Sequence, residues 1–213
     1  MFWLQITLTA VFFIPFQTKK MLGNTDGLLV TSFLLVAIYC GFILALAING
    51  RLKEKRDLGY VSRTTNQMVI IWFLGVSLYV IFTVVFLFRA KILWNWNDWI
   101  NSASASIGII GAWFLITKRG LPIDHPDVKM YGALAFRIIP GLMLGLNIVA
   151  AQSGKGLSPE FIWCFHYLIC LRMIQNFYAM KLHGSDRNRR CIFYAEFMSV
   201  LSWWWVTTAW LIY

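Results

Sequence analysis

The chain has 213 residues, of which 59% are hydrophobic and 13% charged, and its formal net charge is +10. Soluble domains run at about 45–50% apolar and about 25% charged, so an ordinary soluble globule is excluded. The apolar residues fall into long runs, and the basic surplus sits in short loops between them. There it sets orientation and meets anionic lipid headgroups, which excludes a nucleic-acid binder.

Apolar segments are predicted over Phe2–Phe16, Leu28–Asn49, Gln67–Phe88, Trp99–Thr117, Met130–Ala151, Phe161–Met180 and Cys191–Ile212. Most approach the ~20 residues that a spanning helix needs. The expected fold is an all-α polytopic membrane protein of about seven transmembrane helices. The first segment is short, and the fourth carries Asn101, Ser102, Ser104 and Ser106, so these two are the weakest spans. The first segment lacks a basic leader region and runs into a Pro-containing loop, so it reads as a membrane segment rather than a cleavable signal. Cys40, Cys164, Cys170 and Cys191 lie in or beside apolar segments without a CxxC, which points to neither a disulfide framework nor a zinc site.

With seven spans, the loops sharing a side with the N-terminus hold twelve Lys and Arg, and the other side holds five. The positive-inside rule then places the N-terminus in the cytoplasm and the C-terminus outside. Trp94, Trp96 and Trp99 before the fourth segment, and Trp210 and Tyr213 at the end of the seventh, read as interfacial anchors. Trp203, Trp204 and Trp205 stand mid-segment and are not explained that way.

Two turns read alike. Pro15-Phe16-Gln17-Thr18-Lys19-Lys20 leads to Gly27-Leu28 and Phe33, and Gln152-Ser153-Gly154-Lys155 leads to Gly156-Leu157 and Phe161. Each is a helix end, a Gln, a Lys-bearing turn and a Gly-Leu opening the next helix, with Ser32 and Ser158 as expected N-caps. This pattern resembles the PQ-loop motif of the superfamily that holds SWEET facilitators, cystinosin-like carriers, the KDEL receptor and PnuC transporters. The resemblance implies a 3+1+3 layout: a three-helix bundle over 1–89, a linker helix with its loops over 90–128, and a second three-helix bundle over 129–213. The first motif reads Pro-Phe-Gln, and the second has no proline. Where SWEET-like pockets place a central asparagine in the last helix of each half, the third segment has none in its interior and the seventh carries Glu196, so a sugar is not the expected solute.

The last three segments each carry one ionisable group well inside: Arg137, Arg172 and Glu196. Charge in a membrane segment costs a few kcal/mol and needs a partner or a wet cavity. Arg137, Pro140, Leu144 and Asn147 share one helical face; so do Glu196, Ser199, Trp203 and Thr207. Measured along the helices, the three charges lie at a similar level. Glu196 can neutralise only one arginine, and the other suits a carboxylate, phosphate or lipid headgroup. The candidate substrate-binding residues are therefore Arg137, Asn147, Arg172, Asn176, Glu196 and Trp203, with Pro140 as a hinge. A structural ion pair with the second arginine snorkelling to the interface explains the same residues and stays open.

His166 is the one histidine within a segment, so haem held by two histidines is not expected. The Pro122–Asp127 loop, with His125 between two carboxylates, reads as a rigid turn rather than a metal site. No nucleophile elbow, HExxH or phosphate loop is present, so neither an enzyme nor a cofactor is expected. The expected function is an integral membrane facilitator or carrier for a small polar solute, among which an anion suits the spare arginine. The alternative is a non-transporting subunit of a membrane complex, or a membrane receptor. Expected partners are membrane lipids, the small polar solute, and further copies of the chain or the other subunits of a larger membrane complex.

Overall fold

A computed structural model describes residues 2–89 and 95–213, apart from the side chain of His183. Lys91 of the charge count and Trp94 of the aromatic belt lie outside the described residues. The described chain is helical, with no strand among those residues.

Helix α1 runs over 2–23: Phe2–Thr7, a π-helical turn Leu8–Phe13, then Ile14–Gly23 without a break. This corrects the expected end at Phe16. Pro15 sits inside the helix, where the wider π-turn before it (Ile14 N–H to Thr9 O) absorbs its missing donor. The turn proper is Asn24–Leu29, with Gly27 at φ +80°, where a side chain would also collide with the Ser153 carbonyl. Helix α2, Val30–Leu58, ends on Gly59 in the left-handed region; Leu29 holds its N-cap position, and Ser32, expected there, lies inside the helix. Helix α3 is Arg63–Arg89.

Helix α4, Trp96–Arg119, opens with a capping box: Asn95 accepts from the Asp98 N–H, and Asp98 accepts from the Asn95 N–H. Helix α5, Pro126–Ala151, contains a second π-turn, Leu134–Ile138, directly before Ile139-Pro140. Helix α6, Pro159–His183, starts on Ser158, whose hydroxyl accepts from the Phe161 N–H as expected. Helix α7, Arg187–Ile212, is capped by Asp186.

Four of these helices, α2 to α5, are long and apolar enough to cross a membrane. Of the polar residues that weakened the fourth segment on paper, Asn101 is fully buried and Ser102 and Ser104 are half-buried, while Ser106 is exposed with its hydroxyl donating to Ser102 O; Ile107, Ile110 and Trp113 face outward. Helices α6 and α7 have the length, 25 and 26 residues. Arg172 in one, and Glu196 with the tryptophan run in the other, lower their hydropathy.

Helix α2 packs along α3, and α7 packs along both α5 and α6. Helix α1 lies against α3 and α6, and α4 lies against α5 and the start of α2. Phe161 is the hub of the core. Its ring lies 5.3 Å from Phe13 on α1, 5.5 Å from Phe82 on α3 and 5.6 Å from Trp203 on α7. Offset and edge contacts of this kind add about 0.5–1.5 kcal/mol each beyond their buried area.

Candidate functional site

Helix α5 carries its π-turn and Pro140 around Arg137, and its neighbours hold it. Ser104, Ser202, Ser32 and Trp205 donate to the carbonyls of Ala135, Ile138, Pro140 and Leu142 at 2.8–3.2 Å. In a membrane, carbonyls loosened by a proline or a π-turn need such donors, because lipid supplies none. The donors come from α2, α4 and α7, so the bend around Arg137 is fixed from three sides.

The bend sets Arg137 opposite Glu196. The guanidinium donates from Nη1 to Oε1 at 3.2 Å and from Nη2 to Oε2 at 2.7 Å. The two side chains are only 10% and 8% exposed. Taking two charges out of water is costly, and a two-pronged geometry of this kind is what offsets it.

Arg172 is placed differently. Its guanidinium carbon lies 5.2 Å from the centroid of the Trp72 ring on α3. No carboxylate among the described residues lies within 4.0 Å of it. Counted at ~1.5 Å per residue, Arg137 and Arg172 lie about 17 Å, and Glu196 about 14 Å, from the helix ends at Pro126, His183 and Arg187. These depths exceed those implied by the predicted segment ends, because all three helices extend further on that side.

Arg137, Arg172 and Glu196 border one cavity of about 370 Å³, and Asn176 joins them. Gln5, Tyr39, Lys129, Gln175 and Asn188 add further polar groups, with Gln5 and Gln175 meeting at 3.4 Å across α1 and α6. Two smaller voids of about 60 Å³ and 40 Å³ lead on inward, and Arg137 borders all three. The deepest reaches Ser32, Phe161 and Trp203. Trp203 thus stands at the far end, packed 4.4 Å from the Phe165 ring, with its indole N–H donating to the Ile162 carbonyl.

Beyond that point the bundle is sealed by the two similar turns, which dock on each other. The Gly156 N–H donates to Asp26 O at 3.0 Å. Fully buried Gln17 donates to Gly156 O at 2.8 Å and accepts from the Ser158 N–H at 2.9 Å. Asn147 belongs to this seal and borders none of the three voids. It donates to Leu28 O and accepts from Asn95 and Asn97. Beside it, Thr31 donates to Asp98 at 2.5 Å, and Asn101 donates to Thr31 and Ser32.

The structure therefore brings four of the six candidate residues together and sets Trp203 and Asn147 deeper and elsewhere. Gln5, Trp72, Lys129 and Asn188 border the main cavity although the sequence did not single them out. Gln5 carried a signal, as a lone amide in an apolar run. Lys129 was masked by a predicted helix start at Met130, which made it a loop charge. Trp72 carried none. No protein-family model, no curated protein and no solved structure matches this chain.

Proposed function

We propose that the chain is an integral membrane facilitator or carrier for a small polar, anionic solute. The observation that carries this reading is the cavity of about 370 Å³ around one arginine paired with a carboxylate and one stacked on Trp72 without a carboxylate, in a bundle closed at the opposite end. A purely structural pair explains Arg137 and Glu196 but not why Arg172, stacked on Trp72 and without a carboxylate partner of its own, is held beside a cavity.

In this reading all seven helices cross the membrane as three, one and three, with the N-terminus cytoplasmic and the C-terminus outside. Two features support the repeat. Helices α1 and α5 each carry a π-turn followed by Ile-Pro, at Ile14-Pro15 and Ile139-Pro140. The two similar turns also meet face to face. The cavity lies toward the helix ends joined by the basic loops, so this is the cytoplasm-facing state. Transport then requires the docked turns to part while the mouth closes, one three-helix half rocking against the other.

The test is counterflow in liposomes with labelled organic acids, inorganic phosphate, hexoses and amino acids. Saturable flux of an anion, lost in Arg137→Ala and Arg172→Ala, supports the reading. Unchanged flux in both variants overturns the site assignment. Absence of flux for every solute, together with stoichiometric co-purification of other chains, overturns the carrier in favour of a complex subunit.

A further inference from the structure

Resting on the carrier reading, we infer that the solute is an organic monocarboxylate with an apolar body, rather than a sugar or a free phosphate. The two walls of the main cavity differ in chemistry. Helices α2 and α3 supply Ile43, Leu46, Ala47, Met68, Ile71 and Trp72. Every hydrogen-bonding side chain of that wall is aromatic: the hydroxyl of Tyr39 and the indole N–H of Trp72, the latter buried away from the void. The α5–α7 wall supplies every charged group, Lys129, Arg137, Arg172 and Glu196, and the amides of Gln175, Asn176 and Asn188, set among Pro126, Met130, Ile192 and Ala195; Gln5 of α1 adds one more amide.

An occupant with polar groups all round would strip its own hydroxyls or oxygens of partners on the α2–α3 side, and unmade hydrogen bonds are expensive. An occupant with one charged end and one apolar end satisfies both walls.

The charged end is set by the sign of the cavity. Glu196 is hydrogen-bonded to Arg137 and balances one of three positive groups, so the cavity keeps a positive surplus from Arg172 and Lys129, neither within 4.0 Å of a carboxylate among the described residues. Lys129 lies three residues into α5, near the mouth, where a positive charge raises the local concentration of anions. Arg172 lies deeper and makes no hydrogen bond to the described chain, so its fork of N–H groups is available to the two oxygens of one carboxylate. Trp72, over which Arg172 sits, faces the same void. An apolar body, best a flat one, extends from the carboxylate along that wall. The volume lies within the ~300–1,000 Å³ usual for small-molecule sites.

The test uses purified full-length protein in nanodiscs with 3-phenylpropionate, its neutral isostere 3-phenylpropionamide, inorganic phosphate and glucose. Binding is read by tryptophan fluorescence and by thermal shift, and counterflow is measured with the same four probes. The acid is expected to bind at least ~10-fold more tightly than the amide, as fits hydrogen bonds to a charged group. Arg172→Met should abolish that preference and Arg172→Lys should retain part of it. Met68→Gln on the apolar wall should weaken the acid several-fold while leaving its preference over the amide. Equal binding of acid and amide by the wild-type protein overturns the inference without recourse to any variant. So does binding of phosphate or glucose in place of the acid. Flux of one of those two without the acid overturns the inference and leaves the carrier standing. Binding of the acid without flux leaves the ligand class standing and overturns the carrier.

Discussion

Replacing Glu196 by Gln keeps the shape of the side chain and removes its charge, leaving the Arg137 guanidinium, 10% exposed, without its counter-ion. Breaking a buried pair in this way costs about 3–5 kcal/mol in proteins generally. Arg137 borders three voids that water can enter, so the lower end applies, about 3 kcal/mol. At about 2–4 °C per kcal/mol for a chain of this size, the melting temperature should fall by about 6–12 °C. The eleven tryptophans make intrinsic fluorescence a direct readout of unfolding in detergent. The double variant Arg137→Leu/Glu196→Leu removes both charges and should melt within a few degrees of the wild type, since apolar replacement of a whole buried pair is often neutral. A Glu196→Gln protein melting within ~2 °C of the wild type would show that the guanidinium finds water or another partner, and the argument from burial would fail.

Gln17→Ala leaves Gly156 O and the Ser158 N–H without a partner in a fully buried place. The expected cost is about 1–3 kcal/mol for each such group, with faster amide exchange over 153–158 as the specific signature. At Gly145 an added side chain would collide with the Trp205 indole, which donates to Leu142 O. Gly145→Val should therefore destabilise by about 1–3 kcal/mol, seen as a lower melting temperature. Pro140→Ala restores an N–H beside the π-turn and should straighten α5. Flux should fall while the melting temperature holds or rises; unchanged flux would remove Pro140 as the hinge.

Much of the site was legible because charge in an apolar run is a strong signal. Arg137, Arg172 and Glu196 stood out without any knowledge of packing, and helical periodicity put Ser199, Trp203 and Thr207 on the buried face with Glu196. The choice of which arginine takes the carboxylate was not legible. It depends on the bend of α5, which the π-turn and donors from three other helices set together. Asn147 shows the limit of face arguments. It lies on the same face as Arg137 but some 15 Å along the helix at ~1.5 Å per residue, and so serves the seal instead of the cavity. The end of α1 was misread for a local reason. A proline usually stops a helix, and nothing in the composition of Leu8–Phe13 announces the wider turn that lets the chain continue.

The central claim is that the cavity is one side of an alternating pathway. The most direct test is side-resolved cysteine labelling in proteoliposomes, in a background where Cys40, Cys164 and Cys170 are replaced by Ala. Cys191 borders the cavity and reports the mouth. Leu157→Cys, at a position 1% exposed within the docked turns, reports the seal. Adding a transported solute should lower labelling of Cys191 from its side and raise labelling at position 157 from the opposite side, in step and with the same concentration dependence. Labelling of both positions that stays constant at saturating solute would contradict the account.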